Sequence, residues 1–203
     1  KSREILNKIC SDNIDLSFYN FMETNLLSDP VILTRTGYTG ELGFEISAPH
    51  NIIQKLWDYF INNGVSPAGL AVRDILRMEM KYCLYGNDIS TATNPLEAGL
   101  SWIVNFDKGN FLGRDNLLKS KNNDYQRRLI GFEMTEKAIP RKGYSVYIDN
   151  NNMQHMKVGE VTSGTHSPLL SKGIGLAYID CPYHQIGSLI YIEIRGKFLG
   201  AKI

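Results

Sequence analysis

A short glycine-rich segment, Gly37-Tyr38-Thr39-Gly40-Glu41-Leu42-Gly43-Phe44-Glu45, brings a phenol and a carboxylate close together along the chain. Successive backbone N–H groups in such a turn can cradle an anion. However, no Gly-Lys-Ser/Thr follows, and the segment joins strand to strand rather than strand to helix, so a nucleotide-binding loop is not supported. Glycine here supplies positive φ for a tight hairpin. Leu42, Phe44, Ile46 and Ala48 alternate, so they are expected to share one face, while Glu45 projects from the other, toward water or a cavity. Further on, Arg73 and Arg77 stand four apart on a predicted helix, with Asp74 between them and Glu79 beyond. Such arginines form either surface ion pairs or a rigid fork for a planar ligand or a carboxylate; the pattern does not choose. His50, His155, His166 and His184 are isolated, which gives no metal-ligand spacing. Ser163 and Ser167 flank His166 without a G-x-S-x-G elbow, so that segment reads as a turn, not a hydrolytic triad.

The elements that must position these groups change style along the chain. Ile5, Leu6, Ile9 and Cys10 are spaced to share a helical face. Val31–Thr36 is β-branched and strand-like, and with residues 42–48 it predicts a hairpin with a glycine-rich tip. Ile52, Ile53, Leu56, Trp57, Phe60 and Ile61 predict a helix capped by Asn51 and ended by Asn63-Gly64. A second helix is expected from about Pro67 to Met80, with Leu70, Ile75 and Leu76 as its core stripe. From Arg127 the texture becomes short β-rich runs at 129–134, 144–148, 157–162, 174–179, 189–194 and 198–203, with turns at Asp149–Asn152 and Arg195-Gly196-Lys197. Six strands without helical spacers point to a small barrel or sandwich.

The chain has 203 residues, 43% of them hydrophobic, and 22 basic against 21 acidic side chains. That near-neutral balance removes the electrostatic case for nucleic acid or an anionic membrane as the main partner. No apolar run is long enough for a membrane span, and no signal core follows the N-terminus. Three separated cysteines suggest buried thiols in a reducing compartment. Residues 1–118 carry 10 Lys/Arg against 14 Asp/Glu, whereas residues 119–203 carry 12 against 7. This asymmetry reads as drift between two solvated surfaces or as two domains facing differently charged partners. The sign changes at the polar stretch Lys119–Asp124, which has no apolar period and is the linker candidate, so the domains are expected at 1–120 and 121–203.

Several segments, in order, resemble the T-protein (aminomethyltransferase) family of the glycine cleavage system. They are Arg35-Thr36-Gly37-Tyr38-Thr39-Gly40-Glu41-Leu42-Gly43-Phe44-Glu45-Ile46, then residues 68–79 around Ala71-Val72-Arg73-Asp74, then Leu84-Tyr85-Gly86-Asn87-Asp88-Ile89. Asn94–Leu100, Phe111–Arg114, Gly159-Glu160-Val161-Thr162-Ser163-Gly164-Thr165 and Ile174–Tyr178 continue the match, so the resemblance spans nearly the whole chain.

The resemblance implies an α+β protein: part of a folate-binding mixed α/β domain, then a small C-terminal antiparallel β-barrel. It implies transfer of the one-carbon unit of the aminomethyl group on the lipoyl arm of the H-protein to tetrahydrofolate as cosubstrate. Ammonia and 5,10-methylenetetrahydrofolate are the products, and no metal takes part. Carried over by motif, the folate contacts are Tyr38, Glu45 and Arg73, with Tyr85 and Asn87 as further cavity residues. An enclosed Glu45 carboxylate would suit the paired N–H donors of the pterin. The family's catalytic aspartate belongs to an N-terminal portion before Lys1, and an arginine serving the site follows Ile203. The chain is therefore expected to be a fragment, weakly active or inactive alone, with no catalytic residue assigned. The compartment would be the cytoplasm in a bacterium or the mitochondrial matrix in a eukaryote. The folate-binding halves of sarcosine and dimethylglycine dehydrogenases, and a folate-dependent iron–sulfur maturation factor, carry similar hairpins. A non-catalytic folate-binding module is the remaining alternative.

Overall fold

A computed structural model describes residues 1–122, 126–150 and 154–203. The chain divides into two compact units, Lys1–Met80 and Lys81–Ile203.

The first unit packs helices against one face of a three-stranded antiparallel sheet. Its strands β1 (Phe21–Leu26), β2 (Asp29–Thr34) and β3 (Glu45–Ser47) lie in that order. Alternation turns Thr24 and Leu26 of β1 and Val31 and Leu33 of β2 inward. Leu26, Val31 and Leu33 meet Leu6 of α1 (Ser2–Leu6), Ile14, and Ile52 and Leu56 of α2 (His50–Asn62) in one apolar cluster. Burying each of these large aliphatic side chains contributes about 1.5–3 kcal/mol. The third helix, α3, runs Leu70–Glu79.

Several local expectations are corrected. The strand expected over 42–48 is only Glu45–Ser47, and Leu42 is exposed, because Arg35–Phe44 forms one long connection between β2 and β3. Asn51 does not cap α2; it lies inside the first turn, and Pro49 holds the cap position. Of the apolar positions on α2, Ile52, Leu56 and Phe60 face the core, while Trp57 and Ile61 are exposed, so the packed stripe is narrower than the periodicity suggests. Leu70 opens α3 at 83% exposure and joins no core stripe. Strand β1 was not foreseen; it turns into β2 through Leu27 and Ser28, both in the left-handed region, without the glycine or asparagine that marks such turns.

The second unit is a closed six-stranded antiparallel barrel, ordered β4-β7-β6-β5-β8-β9. These strands are β4 (Arg127–Met134), β5 (Ser145–Asp149), β6 (His155–Ser167), β7 (Lys172–Asp180), β8 (Leu189–Ile194) and β9 (Lys197–Lys202). Pairing of β9 back onto β4 closes the ring and leaves no free edge. Its interior is filled by Ile130, Phe132, Met134, Val146, Val158, Val161, Ala177, Ile179, Ile190 and Ile192, each at most 5% exposed. The turn at Arg195-Gly196 joins β8 to β9 as expected. Of the other expected turn, Asn151 and Asn152 lie outside the described residues. Before the barrel come a 3-10 turn at Ser101–Ile103 and helix α4 (Arg114–Asn122). The linker candidate is thus helical as far as Asn122, and Asn123 and Asp124 lie outside the described residues.

Candidate functional site

In the first unit the long β2–β3 connection and the start of α3 bring two of the expected residues together. The guanidinium of Arg73 sits over the ring of Tyr38, 4.4 Å from its centroid, a distance at which the ring's negative face attracts a cation. Arg73 is exposed and Tyr38 half-buried, so this pair presents a planar cation and a phenol at the surface of the unit. Gly40 permits the arrangement of the loop. It has φ +76°, and a β-carbon there would lie 2.4 Å from Cγ of Met80. Gly37 and Gly43 have no positive φ, so of the three glycines the positive-φ reading holds for Gly40 alone.

Glu45 opens β3 on the exposed side of the sheet. The hydroxyl of Thr36 donates to its Oε2, and the Thr36 and Thr34 hydroxyls lie 2.7 Å apart, so a short hydroxyl chain orients the carboxylate. Arg35 braces the same loop by donating to the Gly43 carbonyl at 3.2 Å. The two arginines that sequence spacing placed together on α3 have separate roles. Arg77 is fully buried and pairs with Asp74 through Nε at 2.8 Å and the terminal nitrogen at 2.7 Å, leaving Arg73 to face outward.

In the second unit Tyr85, Gly86 and Asn87 form a tight turn closed by Gly86 N–H donating to the Ile89 carbonyl at 2.8 Å. Lys142 holds it by donating to the Gly86 carbonyl at 2.8 Å and to Asn87 Oδ1 at 3.3 Å. Tyr85 and Asn87 are both exposed.

The group that anchors this turn was missed by sequence reasoning. Asp88, 1% exposed, accepts from Leu84 N–H at 2.9 Å, from Ser163 Oγ at 2.7 Å and from Thr162 Oγ1. Two consecutive residues of a regular strand point to opposite faces, yet both hydroxyls reach one carboxylate oxygen. A register shift in the β6–β7 ladder between Val161 and Ser163 makes that possible. The segments Y-G-N-D and E-V-T-S-G-T, separate in sequence, are therefore one hydrogen-bonded assembly. An aspartate in a glycine-containing turn was the available signal; its burial and its partners were not readable.

Tyr178 of β7 completes this assembly by donating to the Asp88 main-chain carbonyl at 2.9 Å. Arg127 stacks on its ring at 4.6 Å and pairs with Glu97 at 2.9 Å. Burial first, and then the negative charge of Glu97, push the Tyr178 phenol up to about 12. In the unfolded chain that phenol ionises near 10, so between pH 10 and 12 the unfolded state loses a proton that the folded state keeps. Stability supplied by the neutral phenol is complete below pH 10 and lost as pH rises toward 12. Denaturation midpoints measured across that window should fall less steeply for Tyr178→Phe than for the wild-type chain. Equal slopes would show that Tyr178 does not ionise on unfolding.

Among the described residues no three His, Cys, Asp or Glu side chains converge on a common metal-binding point, and no helix is long and apolar enough to cross a membrane. Residues 1–108 match the family described as "GCVT N-terminal domain", and residues 127–203 match "Glycine cleavage T-protein C-terminal barrel domain". The chain belongs to the glycine cleavage T-protein family. Curated relatives named aminomethyltransferase include those of Thermoanaerobacter pseudethanolicus, 46% identical over 209 residues, and Phocaeicola vulgatus, 41% identical over 210. Each alignment takes in 100% of this chain, and 55% and 57% of the relative respectively. The chain thus spans about half the length of the curated relatives it matches. Among solved structures, the glycine cleavage system aminomethyltransferase T of Bartonella henselae superposes with a TM-score of 0.84 at 30% identity, covering 93% of this chain and 52% of that one. The fold class expected from the T-protein resemblance, a mixed helix–strand part followed by a closed antiparallel barrel, is the one observed.

Proposed function

We propose that this chain serves an aminomethyltransferase of the glycine cleavage system. In that reading the lipoylated H-protein delivers an aminomethyl group, its one-carbon unit passes to tetrahydrofolate, and ammonia leaves. One observation carries it: relatives named aminomethyltransferase, 41% and 46% identical, align along the entire chain.

Tyr38, Glu45 and Arg73 are assigned to the folate, and their chemistry suits it. Glu45 accepts from the paired N–H donors of the pterin, with the Thr36 hydroxyl holding the carboxylate in place. Arg73, steadied over the Tyr38 ring, supplies a planar cation with several N–H donors. Tyr85 and Asn87 are assigned as further contacts, held by Lys142 and the Asp88 anchor. No residue of this chain is assigned the proton transfer at folate N10. The domain division proposed is 1–120 for the folate-binding part and 121–203 for the barrel, supported by the gap between the family matches at 108 and 127. The compartment follows the source, cytoplasm in a bacterium and mitochondrial matrix in a eukaryote.

Titration calorimetry with tetrahydrofolate on the full-length protein tests the site. Glu45→Ala and Arg73→Ala should each weaken binding about 10- to 100-fold, the loss of one or two charge-assisted hydrogen bonds. Unchanged affinity in both variants would remove the assignment.

A further inference from the structure

A cleft of about 530 Å³ lies beside β4 and Ile203. Lys81, Arg128, His184 and Gln185 supply its polar lining, and Leu129, Ile130, Ile186 and Ile203 its apolar wall. No acidic side chain lines it. Among the described residues, neither Lys81 nor Arg128 makes a side-chain hydrogen bond or ion pair, although other basic residues of the unit, Arg127, Lys142 and Lys172, do.

We propose that this cleft binds a small organic oxyanion, a phosphate monoester or a dicarboxylate with an apolar body, gripped by Lys81 and Arg128. The inference is independent of the folate reading, since it uses none of the residues assigned there.

Three features support it. First, Lys81 is positioned rather than loose. A β-carbon at Gly131 would lie 3.6 Å from Cγ of Lys81, and one at Gly99 would lie 3.4 Å from its Nζ, so the lysine lies along a wall cleared by two glycines. Second, among the described residues no Asp or Glu side chain faces the two cations across the cleft. Protein packed around the Lys81 ammonium lowers its pKa although much of the side chain meets water, and Arg128 lowers it further against an opposing pull from Cys83. An oxyanion between the two cations relieves both costs. Third, His184, one of the lining residues, carries a buried Nδ1 without a hydrogen-bond partner, so the cleft contains an unmet polar group. A guanidinium recognises phosphate and carboxylate through the same two-pronged hydrogen bonding. The volume is that of a small-molecule site and exceeds the need of a bare inorganic anion, and its apolar wall would accommodate a carbon body.

Titration of the 15N-labelled chain with phenyl phosphate and, separately, with glutarate tests the proposal, with ionic strength held constant by sodium chloride. The expected result is saturable amide shifts confined to Lys81, Arg128–Gly131 and His184–Ile186 with at least one probe. Shifts with phenyl phosphate alone identify a phosphate ester site, and shifts with glutarate alone a dicarboxylate site. Arg128→Gln and Lys81→Gln should each weaken binding at least ten-fold, while Arg128→Lys, which keeps the charge, should lose less. Because both side chains are exposed, the variants should keep the wild-type spectrum elsewhere. Absence of localised shifts with either probe, or equal affinity in both glutamine variants, would overturn the proposal.

Discussion

Gly159→Ala should open the barrel. A β-carbon at this position would lie 2.1 Å from the Tyr178 carbonyl oxygen and 3.1 Å from the Ile179 α-carbon, and both are backbone atoms of the neighbouring strand. Neither can rotate away as a side-chain end could. Relief requires separating β6 from β7 at the pair Gly159–Ile179, within a ring whose six strands close on themselves. Overpacking a well-filled core typically costs about 1–3 kcal/mol, and a clash with backbone on a closed barrel belongs at or above the top of that range. Urea denaturation followed by circular dichroism should show the barrel transition moved to much lower denaturant. Gly37→Ala is the control: nothing lies within 4 Å of a β-carbon there, and its φ is not positive, so its midpoint should stay near wild type. Coincident midpoints for the two variants would mean that β6 and β7 do not approach as closely as described.

Replacing Asp88 by leucine is expected to cost about 3–5 kcal/mol, as for breaking a buried charged network from one side. The carboxylate is buried, and its removal takes away an acceptor shared by the Leu84 N–H and the Ser163 and Thr162 hydroxyls. Thr162 keeps a weaker alternative in the Leu176 carbonyl at 3.2 Å; the Leu84 N–H cannot turn to find another partner. Asp88→Asn keeps one carbonyl acceptor and should lose less. Limited proteolysis offers a second readout, because a turn cut free of β6 should be cleaved between Tyr85 and Ile89 while the wild-type chain resists. A leucine variant with wild-type stability and protease resistance would show that Asp88 is no anchor.

Five barrel strands were legible as short β-rich runs bounded by turn residues, with Arg195-Gly196 as the turn between β8 and β9. Strand β6 runs further than expected, His155–Ser167, so the segment Ser163–Ser167, read from sequence as a turn, is strand paired along β7. Helix α2 was legible from its 3.6-residue period, although periodicity overstated its buried face: Trp57 and Ile61 continue the pattern yet lie outside the cluster. Strand β1 escaped because Glu23 and Asn25 break any strongly apolar run and its turn lacks glycine. The first part of the linker candidate failed differently. Lys119–Asn122 has no apolar stripe, but a polar surface segment that follows Leu117 and Leu118 can still extend a helix whose hydrogen bonds are local.

For the candidate site, spacing predicted a connection that gathers Tyr38 and Glu45, and it put Arg73 and Arg77 on one helix. It did not separate the two arginines. Which of them is buried depends on how α3 is rotated, and the structure gives Arg77 to Asp74 and Arg73 to the ring of Tyr38.

By itself the sequence determined the family, through ordered motifs that span the chain, and the succession of mixed helix–strand part and barrel, through local periodicity. Both are properties of residues near one another along the chain, where covalent geometry and side-chain spacing act directly. Tertiary structure alone decided that Asp88 is an anchor and that Thr162 and Ser163 share its oxygen. It also brought Lys81 and Arg128 to one unpaired cleft. Those contacts join residues tens of positions apart, through a register shift in one ladder and the closure of the ring, and no local pattern encodes either.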